Sequence, residues 1–256
     1  GFKLMQAFAV VNNIDFTQLT PLLDLLALSI ASDIVPITGE NRILAFFGLK
    51  QINSNPSVGL KGILDVCGLA DKEITISDIV FKIGPRINAS GRMKLASEAV
   101  ELLVSSNPVF VKEKSGTINE YNNDRKDLDK NITDEAIALI ASDERYATRR
   151  SIVVHKPDWH KGVIGIVASR LSEEYYKPSI VLTNSNGLAS GSARSVPGFD
   201  IYKAIDSCRD LLETFGGHMY AAGLSMKVEN VPIFKKRFEE IVSKTIDPLM
   251  LVPQID

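Results

Sequence analysis

The chain has 256 residues, 45% of them hydrophobic and 23% charged. That mixture buries a real core in one large domain or two ordinary ones, and it excludes disordered and fibrous classes. The net charge of −2 gives no overall pull towards nucleic acid, so any polyanion site has to be a local cluster of arginine and lysine.

In chain order, Gly1 opens directly into FKLMQAFAVV, the middle of an apolar helix without a cap, which suggests a fragment boundary. Thr20-Pro21 reads as an N-cap with proline at the first helical position. The helix that follows, LLDLLALSIA, is apolar on nearly every side and is expected to be buried, ending near Asp33. Further helices are predicted over 40–51 and 59–66 and from residue 77 onward. GPRINASGR comes next as a glycine-rich loop, with tight turns at Gly84-Pro85 and Ser90-Gly91, ahead of a helix over 96–104. From 119 to 142 the sequence turns polar with a narrow apolar stripe (Leu128, Ile132, Ala136, Leu139, Ile140), which predicts a long solvated helix.

Beyond it the pattern changes. SIVVH and PSIVLTN are β runs separated by a helix over 162–176, GLASGSARSV reads as a third strand, and GLSMKV as a fourth. Asp200 caps a helix whose apolar face runs through Phe215 to a stop at Gly216-Gly217, and an amphipathic helix over 233–246 closes the pattern. Strands alternating with helices predict an α/β domain here. Cys67 and Cys208 sit in separate apolar stretches and read as buried reduced thiols, and the three histidines lack zinc spacing. The most apolar stretch, 22–31, is interrupted by Asp24 and too short to span a bilayer. No signal-peptide pattern opens the chain, so the expected compartment is the cytoplasm.

Three short motifs carry candidate chemistry. In GPRINASGR, Arg86 and Arg92 can offer guanidinium forks to a phosphate beside glycines that let backbone N–H groups approach an anion. An ordinary glycine loop with two surface arginines fits the same letters. In GSARS, the hydroxyls of Ser192 and Ser195 flank Arg194 and can hold a terminal phosphate; small basic turns of this kind are also common without a ligand. In FGGH, His218 after Gly217 can donate to a phosphate or leaving oxygen, or can serve as a structural hydrogen-bonder. His160 and Trp159 precede a glycine-led helix; the tryptophan can stack on a base or lie in a core. Asp33, after so apolar a helix, needs a partner, either a hard metal cation or a cap.

Seven segments in order, namely ALSIASDIVPITGENR, GPRINASGRMKLASEAVELL, YNNDRKDLDKNI, DWHKGVIGIVASRL, KPSIVL, GSARSVPGFDIYKAI and LLETFGGHMYAAG, resemble the RecJ branch of the DHH phosphoesterase family. The resemblance implies an α/β fold: the C-terminal, mostly helical part of a DHH domain over 1–118, a linking helix over 119–143, and an α/β DHH-associated substrate-binding domain over 144–249. Residues 250–256 would then begin a further domain. It implies a single-stranded-DNA-specific 5′→3′ exonuclease that uses Mn2+ or Mg2+ in two-metal hydrolysis, works in DNA repair and recombination, and has single-stranded DNA as partner, with a single-strand-binding protein or a helicase as further candidates. By the same resemblance, Asp33 is a metal ligand, and Arg86, Arg92, Ser192, Arg194, Ser195, Gly217 and His160 bind substrate or its 5′ phosphate. His218 and Asp33 take the catalytic roles. The family's Asp-His-His motif does not occur here, so the fragment is expected to be inactive alone. A phosphoesterase on short oligonucleotides and a non-catalytic DNA-binding scaffold are the alternatives.

Overall fold

The structure, a computed structural model, describes residues 1–253; of the expected further domain at 250–256, residues 254–256 lie outside the described residues. The chain divides into two units, Gly1–Arg125 and one from Lys126 onward.

The first unit is helical: α1 (Phe2–Val11), α2 (Leu23–Ser32), α3 (Gly39–Ser54), α4 (Val58–Val66), α5 (Ile76–Asp78), α6 (Gly84–Met93), α7 (Ala96–Val104) and the first part of α8 (Pro108–Ala141). Its core joins Ala27, Leu28 and Ala31 of α2 to Leu60 and Ile63 of α4, Ile79, Ile83 and Leu102. The all-round apolar α2 is buried as its composition predicts, but it starts later than expected. Pro21 sits in a 3-10 turn, and the Thr20 hydroxyl donates to the Thr17 carbonyl instead of capping α2. The one acidic residue within α2, Asp24, is fully buried and accepts from the backbone N–H groups of Leu25 (2.6 Å) and Ser57 (2.8 Å), which pins the chain ahead of α4.

GPRINASGR is not a loop. A capping box at Thr75 and Asp78 opens α5, a π-turn over Ile79–Ile83 follows, and α6 continues from Gly84. Proline lacks an N–H and its ring crowds the carbonyl four residues back. A wider turn, with Gly84 N–H bonded to the Ile79 carbonyl, carries the chain past Pro85 without ending the helix. Ser90-Gly91 falls within the last turns of α6, so Arg86 and Arg92 project from a helix.

The long helix also begins earlier than residue 119. Asn107 accepts from the N–H groups of Val109 (3.0 Å) and Phe110 (3.3 Å), Pro108 takes the first position, and α8 runs for 34 residues. An Asn-Pro start is a strong helix signal, and here it outweighs the β-branched letters that follow.

The second unit is α/β. After α9 (Arg145–Thr148) come β1 (Ile152–His155), α10 (Ile164–Tyr175), β2 (Ser179–Ser185), β3 (Leu188–Arg194), α11 (Ile201–Asp206), β4 (Thr214–His218), β5 (Ala221–Met226) and α12 (Val231–Thr245). One five-stranded sheet has the order β1-β2-β3-β5-β4; β1 and β2 are parallel, the other pairs antiparallel. Asn186 and Gly187, both at positive φ, make the two-residue turn between β2 and β3. One sheet face packs on α11 and α12 through Ile180, Leu182, Ala193, Leu224, Phe234 and Phe238. The other packs on α10 and the end of α8 through Val154, Val181, Val167, Leu171 and Ala136.

The expected helix through Phe215 is much shorter than its apolar stripe suggests. It ends at Asp206, and FGGH, read as a helix stop, is instead the edge strand β4, so the sheet has five strands where four were expected. Phe215 keeps its place against the α11–α12 core, but from a strand.

Candidate functional site

Strand register assembles a site in the second unit. Arg194 lies opposite Ala221, which lies opposite His218; Ser192 lies opposite Gly223, which lies opposite Gly216. Directly opposed residues project to the same face. Arg194 and His218 therefore share a face two strands apart, roughly 10 Å at the usual inter-strand spacing. The floor between them consists of Ala221, Gly223 and Gly216. A third row, Ser190, Ser225 and Thr214, adds hydroxyls, with Thr214 and Ser225 bonded at 2.7 Å. This is the face that carries α10, but Gly223, Gly216 and His218 remain exposed beyond it. The result is an open trough with a guanidinium at one wall and an imidazole at the other.

The trough's side chains are held from below. Arg194 donates through Nη1 to Ser192 Oγ (2.9 Å) and to its neighbour's carbonyl, that of Ala193 (2.8 Å). Gly165, in the first turn of α10, lies so close that a Cβ there would sit 3.1 Å from Ser192 Oγ and 3.2 Å from Arg194 Nη2. His218 Nδ1 accepts the Tyr220 N–H at 3.2 Å, which favours the tautomer whose Nε2–H is the outward donor. Gly217 has φ +150°, and a Cβ there would lie 2.3 Å from the Ala221 carbonyl oxygen and 2.6 Å from Ala222 Cα. Only glycine lets β4 approach β5 this closely.

Other expected residues fall outside the trough's polar face. The Ser195 hydroxyl donates to the Phe199 carbonyl (2.7 Å) and secures the loop after β3. His160, half-buried before α10, accepts the Gly162 N–H on Nδ1 (3.2 Å). Trp159 is a core residue whose Nε1–H donates to Glu135 (2.7 Å), so its ring is not open for stacking on a base.

In the first unit, Arg86 is braced on α6. Its Nε donates to Asn119 Oδ1 on α8 (2.9 Å) and its Nη1 to the Lys82 carbonyl (2.8 Å). Arg92 is exposed in the last turn of α6. Asp33 is the exposed C-cap residue of α2. A Cβ on Gly84 would meet Ser32 Oγ at 2.8 Å, so the Asp33 end of α2 abuts the first turn of α6. Among the described residues no three His, Cys, Asp or Glu side chains gather as a metal site. Asp33 offers one carboxylate, and the described residues do not by themselves fit a two-metal centre.

The sequence reading missed Asn119, Gly165 and the glycine floor. Asn119 was legible only as part of a polar helix. The floor becomes visible once Gly216 and Gly223 are placed in register.

Residues 143–244, which include the whole trough, match the DHHA1 domain. Over most of its length, that domain included, the chain is 38% identical over 234 residues to the single-stranded-DNA-specific exonuclease RecJ of Bacillus subtilis, covering 91% of this chain and 30% of that protein. RecJ of Escherichia coli is 33% identical over 251 residues, 95% of this chain and 44% of that one. The crystal structure of Thermus thermophilus RecJ with Mn2+ superposes with a TM-score of 0.80 at 30% identity, over 90% of this chain and 34% of that chain. This chain resembles the C-terminal part of the RecJ catalytic core. It spans less than half the length of these RecJ relatives. The helical unit, the long α8 and the α/β DHHA1 unit have the organisation of the RecJ fold. Among the described residues no helix is long and apolar enough to cross a membrane.

Proposed function

We propose that the whole protein to which this chain belongs is a metal-dependent 5′→3′ exonuclease on single-stranded DNA, and that the trough on the DHHA1 sheet binds phosphate of the strand. The observation that carries this reading is the row Arg194–Ala221–His218, backed by Ser192, over a floor without bulky side chains. A guanidinium fork and a hydroxyl can hold a 5′ phosphate, and the outward Nε2–H of His218 can donate to an oxygen on which negative charge develops. Arg86 and Arg92 would add phosphate contacts from α6, with Gly217 shaping the His218 hairpin and His160 contributing near the start of α10. Asp33 would give one ligand to a divalent cation, Mn2+ or Mg2+, whose chemistry is to polarise an attacking water. The resemblance supports, as part of the same proposal, a role in DNA repair and recombination in the cytoplasm beside a single-strand-binding protein or a helicase.

The test uses the full-length protein with single strands that carry either a 5′ phosphate or a 5′ hydroxyl. Arg194→Glu should slow digestion at least tenfold and abolish the preference for the phosphorylated end. Wild-type kinetics with the preference intact would remove Arg194 from the site. The 256-residue chain alone should digest nothing, and a titration showing two tightly held Mn2+ ions on it would overturn that expectation.

A further inference from the structure

The opposite edge of the same sheet carries a second concentration of positive charge. β1 is the outer strand there, and a hollow of about 660 Å³ opens beside its last residue, His155. Arg145 and Arg149 reach it from α9 and its end, Lys235 and Lys236 from the early turns of α12. Among the described residues the one carboxylate in the wall, Asp143, is already engaged by Arg145 through paired bonds of 2.7 and 2.8 Å. Among the described residues no carboxylate stands within ion-pair distance of Arg149, Lys235 or Lys236.

These cations are built in. Arg149 lies over the Tyr146 ring, 5.1 Å from its centroid, and that ring is anchored by its hydroxyl bond to the Val153 carbonyl (2.6 Å). Lys235 is half-buried; burial, and after it the charge of Arg149, lower its pKa below the ordinary lysine value. The amino-terminal residues of α12, Val231 and Pro232, form part of the wall, so the positive end of that helix faces the same space. Like charges gathered in a half-buried hollow repel one another until an anion joins them. The hollow is far larger than a phosphate and lies in the size range of small-molecule sites. Val228 and Pro232 give it an apolar side.

We propose that this hollow is an accessory nucleotide site: Arg149, Lys235 and Lys236 take the phosphate, and the sugar and base lie against Val228 and Pro232. It goes beyond the nuclease reading and does not depend on it, because binding is measured without cleavage. The phosphate can come from a free mononucleotide or from one nucleotide within a single strand.

Calorimetric titration of the full 256-residue chain separates these sources. Thymidine 5′-monophosphate should bind, and thymidine should not. Arg149→Gln with Lys235→Met should lower the affinity at least tenfold, while Arg194→Gln should leave this component in place. Lys236→Glu, at an exposed position, should weaken binding in the same direction and keeps the test informative if the double variant fails to fold. An oligothymidylate without terminal phosphates that competes for the hollow marks the strand as the source; competition by the mononucleotide alone marks the free nucleotide. Either result supports the site. Equal binding of thymidine, unchanged affinity in the variants, or Lys235-dependent binding of an oligoglutamate peptide in place of the nucleotide would overturn it.

Discussion

Arg86 and Arg194 look alike as letters, each in a run of glycine, serine and small residues, yet they are held in different ways. Arg86 projects from α6 and is steadied by a residue distant in sequence, Asn119, together with the carbonyl one turn back. Arg194 projects from β3 and is steadied by its own strand, through Ser192 and the Ala193 carbonyl. The strand arginine thus depends on sheet register, and the helix arginine on how two helices pack. A glycine-rich run that bears an arginine is therefore no single structural device; what counts is the element that sets the side chain's direction.

The comparison can be broken at several points. The largest effect should come from Gly217→Ala, since the new methyl would press into the β5 backbone. We expect a loss of about 2–3 kcal/mol in urea unfolding, confined to the sheet unit. Asn119→Ala should cost about 1.5 kcal/mol by removing a bond to a charged partner, and should loosen Arg86 without touching Arg194. Hydrogen exchange along α6, measured against β3, would show whether that separation holds. Thr75→Ala should cost about 1 kcal/mol through the lost cap of the helical run leading to Arg86.

A pH scan gives the smallest and most local effect. The bond from Lys82, and next those from Thr75, hold the Asp78 carboxyl down to about 2. Its folded value lies below the unfolded one of about 3.9, so the stabilisation is complete above that value. It drains away as pH falls from about 4 towards 2. Asp78→Asn should flatten this part of the acid-unfolding curve; an unchanged curve would show that the capping box contributes nothing there.

These tests also mark how far the sequence could be read. The apolar α2, the βαβ opening of the sheet and the strand bearing GSARS were legible because hydrophobic periodicity reports burial directly. GPRINASGR was misread because glycine and proline normally punctuate helices, and nothing in the letters announces a π-turn that absorbs Pro85. The start of α8 is written in Asn107-Pro108, an N-cap with proline at the first helical position, ahead of the polar stretch at which the helix was expected to begin. FGGH was misread because the amphipathic stripe of α11 continues into it with helical spacing, and only pairing with β5 shows it to be a strand. The chemistry-bearing residues of the trough were visible singly. Their shared face was not, because register is a property of strand pairs and not of one strand.

On the proposed reading, the floor made of Gly216, Gly223 and Ala221 has one more implication. It presents backbone and almost no functional groups, so it has nothing with which to tell adenine from thymine or guanine from cytosine. A polymer lying across it would be felt as a repeating ribbon of charge and sugar, and an enzyme built on such a surface should walk through any order of letters at one pace.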